Sequence, residues 1–193
     1  MSTGNVCRSP MAERLAELEL AAALGAEVDA FRIGSAGTWG HDGAPMEQHA
    51  RAVLNERGAR AGGFVAQELL AEQIAAADLV LTASSEQSQQ VRLMDPAARD
   101  RVFTLCEFAS LAQDAPPDVL VHNPAARARA LVCTLAELRT RLGSAVRSTD
   151  IADPYGAPLH VFRLCADEIA ACLGALVGHL AVARTAATNR AVS

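Results

Sequence analysis

Apolar residues recur at helical spacing between Pro10 and Gly25, at Met11, Leu15, Leu18 and Ala22, with Glu13, Arg14 and Glu17 left for the solvent face. Pro10 suits the first position of that helix, where no amide partner is needed. Val28 to Gly34 reads as a strand running into Ser35-Ala36-Gly37-Thr38, and a helix from Pro45 to Arg57 stops at Gly58. Within Ala75 to Thr82, the run Leu79-Val80-Leu81 suits a buried parallel strand. Arg101 to Leu105 is a further strand candidate. Asp114 to Val121, with Pro116 and Pro117, is a loop, Arg127 to Leu142 reads as helical, and Ile151 to Pro158 is a second loop. Leu159 to Arg184 forms a long closing helix, with Phe162, Ile169, Leu173, Leu176 and Leu180 on its core face. Short strands alternating with helices indicate an α/β fold with a parallel sheet. There is no internal repeat, and we expect one domain over residues 1–184 with a flexible tail at 185–193.

Composition narrows this picture. With 51% hydrophobic and 20% charged residues over 193 positions, the chain can bury a core and is not disordered. A net charge of −5, with all seventeen basic residues arginine and no long basic run, argues against nucleic acid as a partner. Ile169 to Ala183 is too short to span a bilayer, and the N-terminus lacks the pattern of a signal peptide. The five cysteines, Cys7, Cys106, Cys133, Cys165 and Cys172, form no CxxC pair and no metal-ligand spacing. We therefore expect a cytoplasmic protein with reduced thiols, no membrane association, no metal and no cofactor. The oligomeric state is not specified at this level.

The chemistry concentrates at residues 2–10, Ser-Thr-Gly-Asn-Val-Cys-Arg-Ser-Pro. A tight loop opening into a helix points successive amides one way, and the helix N-terminus adds partial positive charge. Gly4 permits a backbone turn that a side chain would hinder, and Asn5 can brace the loop. Arg8 offers a planar fork for two phosphate oxygens. The plainer reading makes Ser9-Pro10 an ordinary helix start with Ser9 as N-cap.

This loop resembles the phosphate loop of the low-molecular-weight protein tyrosine phosphatases, with Thr3, Gly4, Asn5, Val6, Cys7, Arg8 and Ser9 as its phosphate-binding residues. The resemblance implies a three-layer αβα fold with a small parallel sheet, no cofactor and a phosphotyrosine protein or other phosphomonoester as substrate. In that family the first loop position is a nucleophilic cysteine; here it is Ser2. A thiolate is generated by the loop's own field, whereas a serine hydroxyl stays protonated without a base. Cys7, next to Arg8, is expected to point away from the cradle as a small buried hydrophobe. Removal of Met1 would turn Ser2 into an N-terminal serine with its α-amine as a base. The family's phosphate loop follows a buried strand, and only Met1 precedes this one, so the first strand is expected to be truncated.

Asp153-Pro154-Tyr155-Gly156 is the second matching segment: the resemblance implies that Asp153 is the general acid, and Tyr155 could wall the cleft. As bare sequence it is also a good turn. Ser35-Ala36-Gly37-Thr38 matches a third segment, in which Ser35 supports the loop, and Trp39 follows as either a core residue or a ligand platform. Where relatives commonly carry His-x-x-Arg, this chain has Phe64-Val65-Ala66-Gln67, which suggests a thinner supporting network. Phe103 to Ala109 resembles an actinobacterial-type branch. Two functional readings follow: phosphomonoester hydrolysis by Ser2, Arg8 and Asp153, or a non-catalytic module that binds phosphate or a phosphoprotein through the same residues. Arsenate reduction needs redox cysteines after the third strand, and residues 82–92 contain none.

Overall fold

The periodic apolar segments fold as helices that bury those residues. The structure, a computed structural model, describes residues 1–116, 123–143, 146 and 149–190, with side chains to residue 181. Helix α1 (Arg8–Leu24) buries Met11, Leu15, Leu20 and Leu24. It starts two residues before Pro10, so Ser9 lies inside the first turn and is not the cap; the cap position is Cys7, without a side-chain hydrogen bond. Proline is tolerated there because first-turn amides have no intrahelical partner. Helix α2 (Gln48–Glu56) is capped by Glu47, whose carboxylate accepts from the amides of His49 and Ala50 at 2.6 and 3.0 Å. Helix α7 (Leu159–Arg190) lies against α1 and α2, where Phe162 and Ile169 join Met11, Leu15, Val53 and Leu54 in one core.

Between these lie α3 (Ala71–Ala76), α4 (Ser85–Met94), α5 (Leu105–Asp114) and α6 (Pro124–Leu142). Helix α6 starts three residues ahead of the apolar pattern because Asn123 caps it and Pro124 occupies its first turn. Part of the loop expected over Asp114 to Val121 lies outside the described residues, as do the last three residues of the expected tail; the backbone of α7 continues to Arg190.

Strands β1 (Val80–Thr82) and β2 (Val102–Thr104) pair in parallel, with Val80 beside Val102, Leu81 beside Phe103 and Thr82 beside Thr104. Alternation sends Val80 and Val102 to one face, against Ile74 and Val91, and Leu81 and Phe103 to the other, against Phe108, Leu131 and Leu135. Helices therefore cover both faces, the αβα layering expected from the sequence. Met1 and Ser2 extend the ladder on the far side of β1. The Met1 ammonium donates to Leu81 O at 2.7 Å, and Ala83 N donates to Met1 O at 2.9 Å. Parallel bridges then link Ser2 to Gly37 and Gly37 to Glu68.

The strand predicted for Val28 to Gly34 does not form. Gly25–Ala30 is a 3-10 helix, and residues 31–36 make no ladder. Among the described residues the bridge on that side joins Ser2 to Gly37, past the end of the predicted strand. Phe31 and Ile33 instead pack on Leu20, Leu24 and Leu180. Among the described residues no helix is long and apolar enough to cross a membrane.

Candidate functional site

Residues 2–9 wrap the N-terminus of α1, and their backbone is held from outside. Thr3, Gly4 and Val6 carbonyls accept from the amides of Trp39, His41 and Glu47 at 3.0, 3.2 and 2.9 Å. Among the described residues, no acceptor takes the N–H groups of Thr3, Gly4, Asn5, Val6, Cys7, Arg8 or Ser9. The left-handed residue of the turn is Asn5 (φ 54°), not Gly4; asparagine tolerates that region. A Cβ at Gly4 would lie 2.6 Å from Cδ2 of the exposed His41 side chain, which would have to move. At Gly37 a Cβ would meet Thr3 O at 2.4 Å, and that close backbone approach demands glycine.

A buried polar network fixes the loop from below. Asn5 Nδ2 donates to Ser9 Oγ and Ser35 Oγ, both at 2.9 Å, while Asn5 Oδ1 accepts from Gln67 N at 2.9 Å. Ser35 Oγ donates onward to Glu13 Oε2 at 2.6 Å, and Gln67 Nε2 reaches Ser35 O at 2.8 Å. Gln67 therefore supplies support within the Phe64 to Gln67 segment, where the sequence predicts a thinner network. Burial pushes the Glu13 carboxyl above its usual range, against the Ser35 hydrogen bond and Arg14, which pull it down. From the opposite side Gln87 Nε2 donates to Thr3 Oγ1 at 3.1 Å.

Arg8 crosses the cleft. Its NH1 donates to Ile151 O at 3.0 Å and its NH2 to Asp153 Oδ2 at 2.5 Å, joining residues 145 positions apart. Arg8 is buried while half of the Asp153 carboxylate surface is exposed, and the buried Arg8 Nε has no partner among the described residues. Asp153 Oδ1 also accepts from Tyr155 N at 3.2 Å, fixing the acid loop. A cavity of about 190 Å³ is lined by Ser2, Thr3, Gly4, Arg8, Asp153 and Tyr155, with His41 at its side. It adjoins a wider groove of about 710 Å³ through Val6, His41 and Tyr155.

Ser2 is buried at the base of this cavity, its Oγ 2.6 Å from Ser9 Oγ. Within hydrogen-bond reach it has no carboxylate or imidazole among the described residues. Cys7 is 4% exposed and sits in the α1–α7 core. Desolvation, then Asp153 and Glu47, push its thiol up to about 12, outweighing Arg8. It is unsuited to act as a nucleophile. Trp39 is 80% exposed and lines neither cavity, which excludes the core role. The uncommitted amides, the Arg8 fork and the opposed Asp153 carboxyl can hold a tetrahedral oxyanion and deliver a proton opposite Ser2.

Sequence reasoning missed His41, Glu13, Gln67 and Gln87. Only Gln87 carried a local signal, the capping box it forms with Ser84 at the start of α4. No group of three or more metal-ligating side chains occurs among the described residues.

The family model for low molecular weight phosphotyrosine protein phosphatase matches residues 1–148, and the chain belongs to that family. It is 29% identical over 167 residues to a protein-arginine-phosphatase of Geobacillus stearothermophilus, covering 86% of this chain and 84% of that protein. Its fold matches the low molecular weight protein tyrosine phosphatase of T. tengcongensis with a TM-score of 0.68 and 27% identity, over 92% of this chain and 94% of that one. It also matches a cysteine-to-serine mutant of YwlE arginine phosphatase with a phosphorylated active site serine, with a TM-score of 0.65 and 26% identity. That match spans 93% of this chain and 91% of the mutant.

Proposed function

We propose that this chain binds the phosphoryl group of a phosphorylated protein in the loop of residues 2–9, with hydrolysis held back by Ser2. One observation supports the reading: among the described residues the loop amides lack acceptors while Arg8 stands beside them, and no base reaches Ser2. Thr3 to Ser9 supply N–H donors, Arg8 the fork, and Asp153 the proton for the departing group. Tyr155 and the adjoining groove hold the rest of the partner, a phosphotyrosine protein or another phosphomonoester, in the cytoplasm. A hydroxyl at Ser2 is the wrong nucleophile for this field, because the amides and Arg8 that ionise a thiol leave an alcohol protonated.

A second reading is favoured by the phosphorylated active site serine of the YwlE mutant. In it, the Ser2 Oγ–phosphorus bond forms as the bond to the leaving oxygen breaks, that oxygen takes a proton from Asp153, and the Ser2 proton passes to water, from which Asp153 is reprotonated. The phosphoserine then persists, and the protein is a single-turnover acceptor.

Thermal unfolding with phosphate or vanadate tests binding, and p-nitrophenyl phosphate tests turnover. Protection by phosphate that exceeds that of chloride and is lost in Arg8→Ala supports the site. Phosphorus-31 NMR titration of the wild-type protein with phosphate checks the same point if that variant misfolds. Steady turnover well above that of Ser2→Ala overturns the proposed block, and phosphate found on Ser2 by peptide mass spectrometry selects the second reading.

A further inference from the structure

Away from the loop, two cysteines that lie 66 positions apart in the chain meet between α5 and α7. Cys106 Sγ stands 3.6 Å from Cys172 Sγ, and both side chains are partly exposed. Cys106 is the second residue of α5, where the capping box of Thr104 and Glu107 secures the helix N-terminus. Helix dipoles favour a thiolate at that position. Among the described residues the other thiols are placed differently. Cys7 and Cys165 are buried, and Cys133 is exposed on α6.

We propose that Cys106 and Cys172 form a reversible oxidation site, closing to a disulfide that ties α5 to α7. The oxidant is hydrogen peroxide. The Cys106 thiolate attacks one peroxide oxygen, the O–O bond breaks, and Cys106 becomes a sulfenic acid while hydroxide leaves. The Cys172 sulfur then attacks the Cys106 sulfur; the S–S bond forms, the S–O bond breaks, and the oxygen departs as water. Two electrons pass from the two sulfurs to one peroxide, which ends as two waters, and a dithiol reductant reverses the step.

The electrostatics agree with this division of labour. The hydrogen bond from Cys172, foremost, pulls the Cys106 thiol down to about 7, against burial, Glu168 and Asp150. The same bond and burial raise Cys172, so it stays protonated until it resolves the intermediate. Cys165, in contrast, is pushed up to about 12 by burial. The two sulfurs, 3.6 Å apart, have to approach to about 2.05 Å for the bond to form. The new bond would also close a long loop of chain, which restricts the unfolded state. Thr149 and Asp150 lie near enough to Cys106 to shift its thiol, and Asp150 accepts from Ser85, so the cross-link sits beside the segment leading to Asp153. The inference does not depend on the phosphoryl-binding reading.

The test is peroxide treatment of the full chain, alkylation under denaturing conditions, and peptide mapping without reduction. The expected result is a peptide pair joined through Cys106 and Cys172, loss of two alkylatable thiols, and a rise of several degrees in the thermal midpoint that dithiothreitol reverses. Cys133→Ser should leave all three unchanged, whereas Cys172→Ala should lose the cross-link and leave Cys106 as a sulfenic acid open to dimedone. The proposal is overturned if both thiols remain alkylatable while Cys133 is oxidised. It is equally overturned if the bond joins other cysteines or two chains.

Discussion

Two helix N-termini of this protein each carry a cysteine, and the two thiols behave in opposite ways. Cys7 caps α1 and precedes Arg8 in sequence, the arrangement that ought to acidify it, yet its thiol is pushed up to about 12. Cys106, in the first turn of α5, is pulled down to about 7. The difference lies in what surrounds the sulfur. Cys7 is buried in the apolar core with Asp153 and Glu47 near it, and Arg8 turns its guanidinium toward Ile151 and Asp153. Cys106 is partly exposed, and the Cys172 thiol 3.6 Å away lowers it. Desolvation outweighs a neighbouring cation when no group stabilises the anion directly. The loop around Ser2 has the donors, and the thiol is in the wrong place to use them.

The largest break in this comparison is Ser2→Cys. Moving a thiol under the loop amides and Arg8 should lower its pKa well below that of Cys7 and raise p-nitrophenyl phosphate hydrolysis by orders of magnitude. Steady-state assays beside Cys7→Ser check it; a flat response would mean that the loop does not ionise a thiol.

Asn5→Ala removes both amide donors and the side chain that tolerates a left-handed turn. It should destabilise the fold by about 2–4 kcal/mol, measured by denaturant titration. Arg8→Lys keeps the charge and loses the fork, so phosphate affinity should fall roughly tenfold in NMR titration, the equivalent of one charge-assisted hydrogen bond.

Alkylation of the native protein across pH should show Cys106 reacting with a midpoint near 7, while Cys7 and Cys165, both raised to about 12, remain unmodified up to pH 9. The smallest effect concerns Glu13, whose folded-state carboxyl is raised from 4.5. The folded protein then holds this proton more tightly than the unfolded chain, so the contribution is favourable at low pH and declines as pH rises above about 4.5. Glu13→Gln should flatten that decline in chemical denaturation at a series of pH values.

Much of this was legible in the chain. The 3.6-residue period gave α1, α2 and α7 nearly to their ends, and short apolar runs gave β1 and β2. Helix α4 was silent because its buried positions are Gln87, Ser88 and Val91, which present no apolar stripe. The strand expected at Val28 to Gly34 has the composition of one, but pairing needs a neighbour, and among the described residues the bridge to Ser2 falls at Gly37, past its end. The sequence points to Gly4 as the special turn residue, yet Asn5 takes the left-handed conformation, because both residue types can carry that role.

What the sequence determined by itself is local: the loop of residues 2–9 leading into α1, the serine at its head, and the Asp-Pro turn at residues 153–154, each set by neighbouring residues and short-range backbone chemistry. What the tertiary structure decided is every long-range partnership. It placed Asp153 on Arg8, Gln67 under Asn5, Glu13 behind Ser35, and Cys172 against Cys106. Whether a thiol is a nucleophile or a buried hydrophobe depends on dielectric and neighbours, and packing across the whole chain sets both.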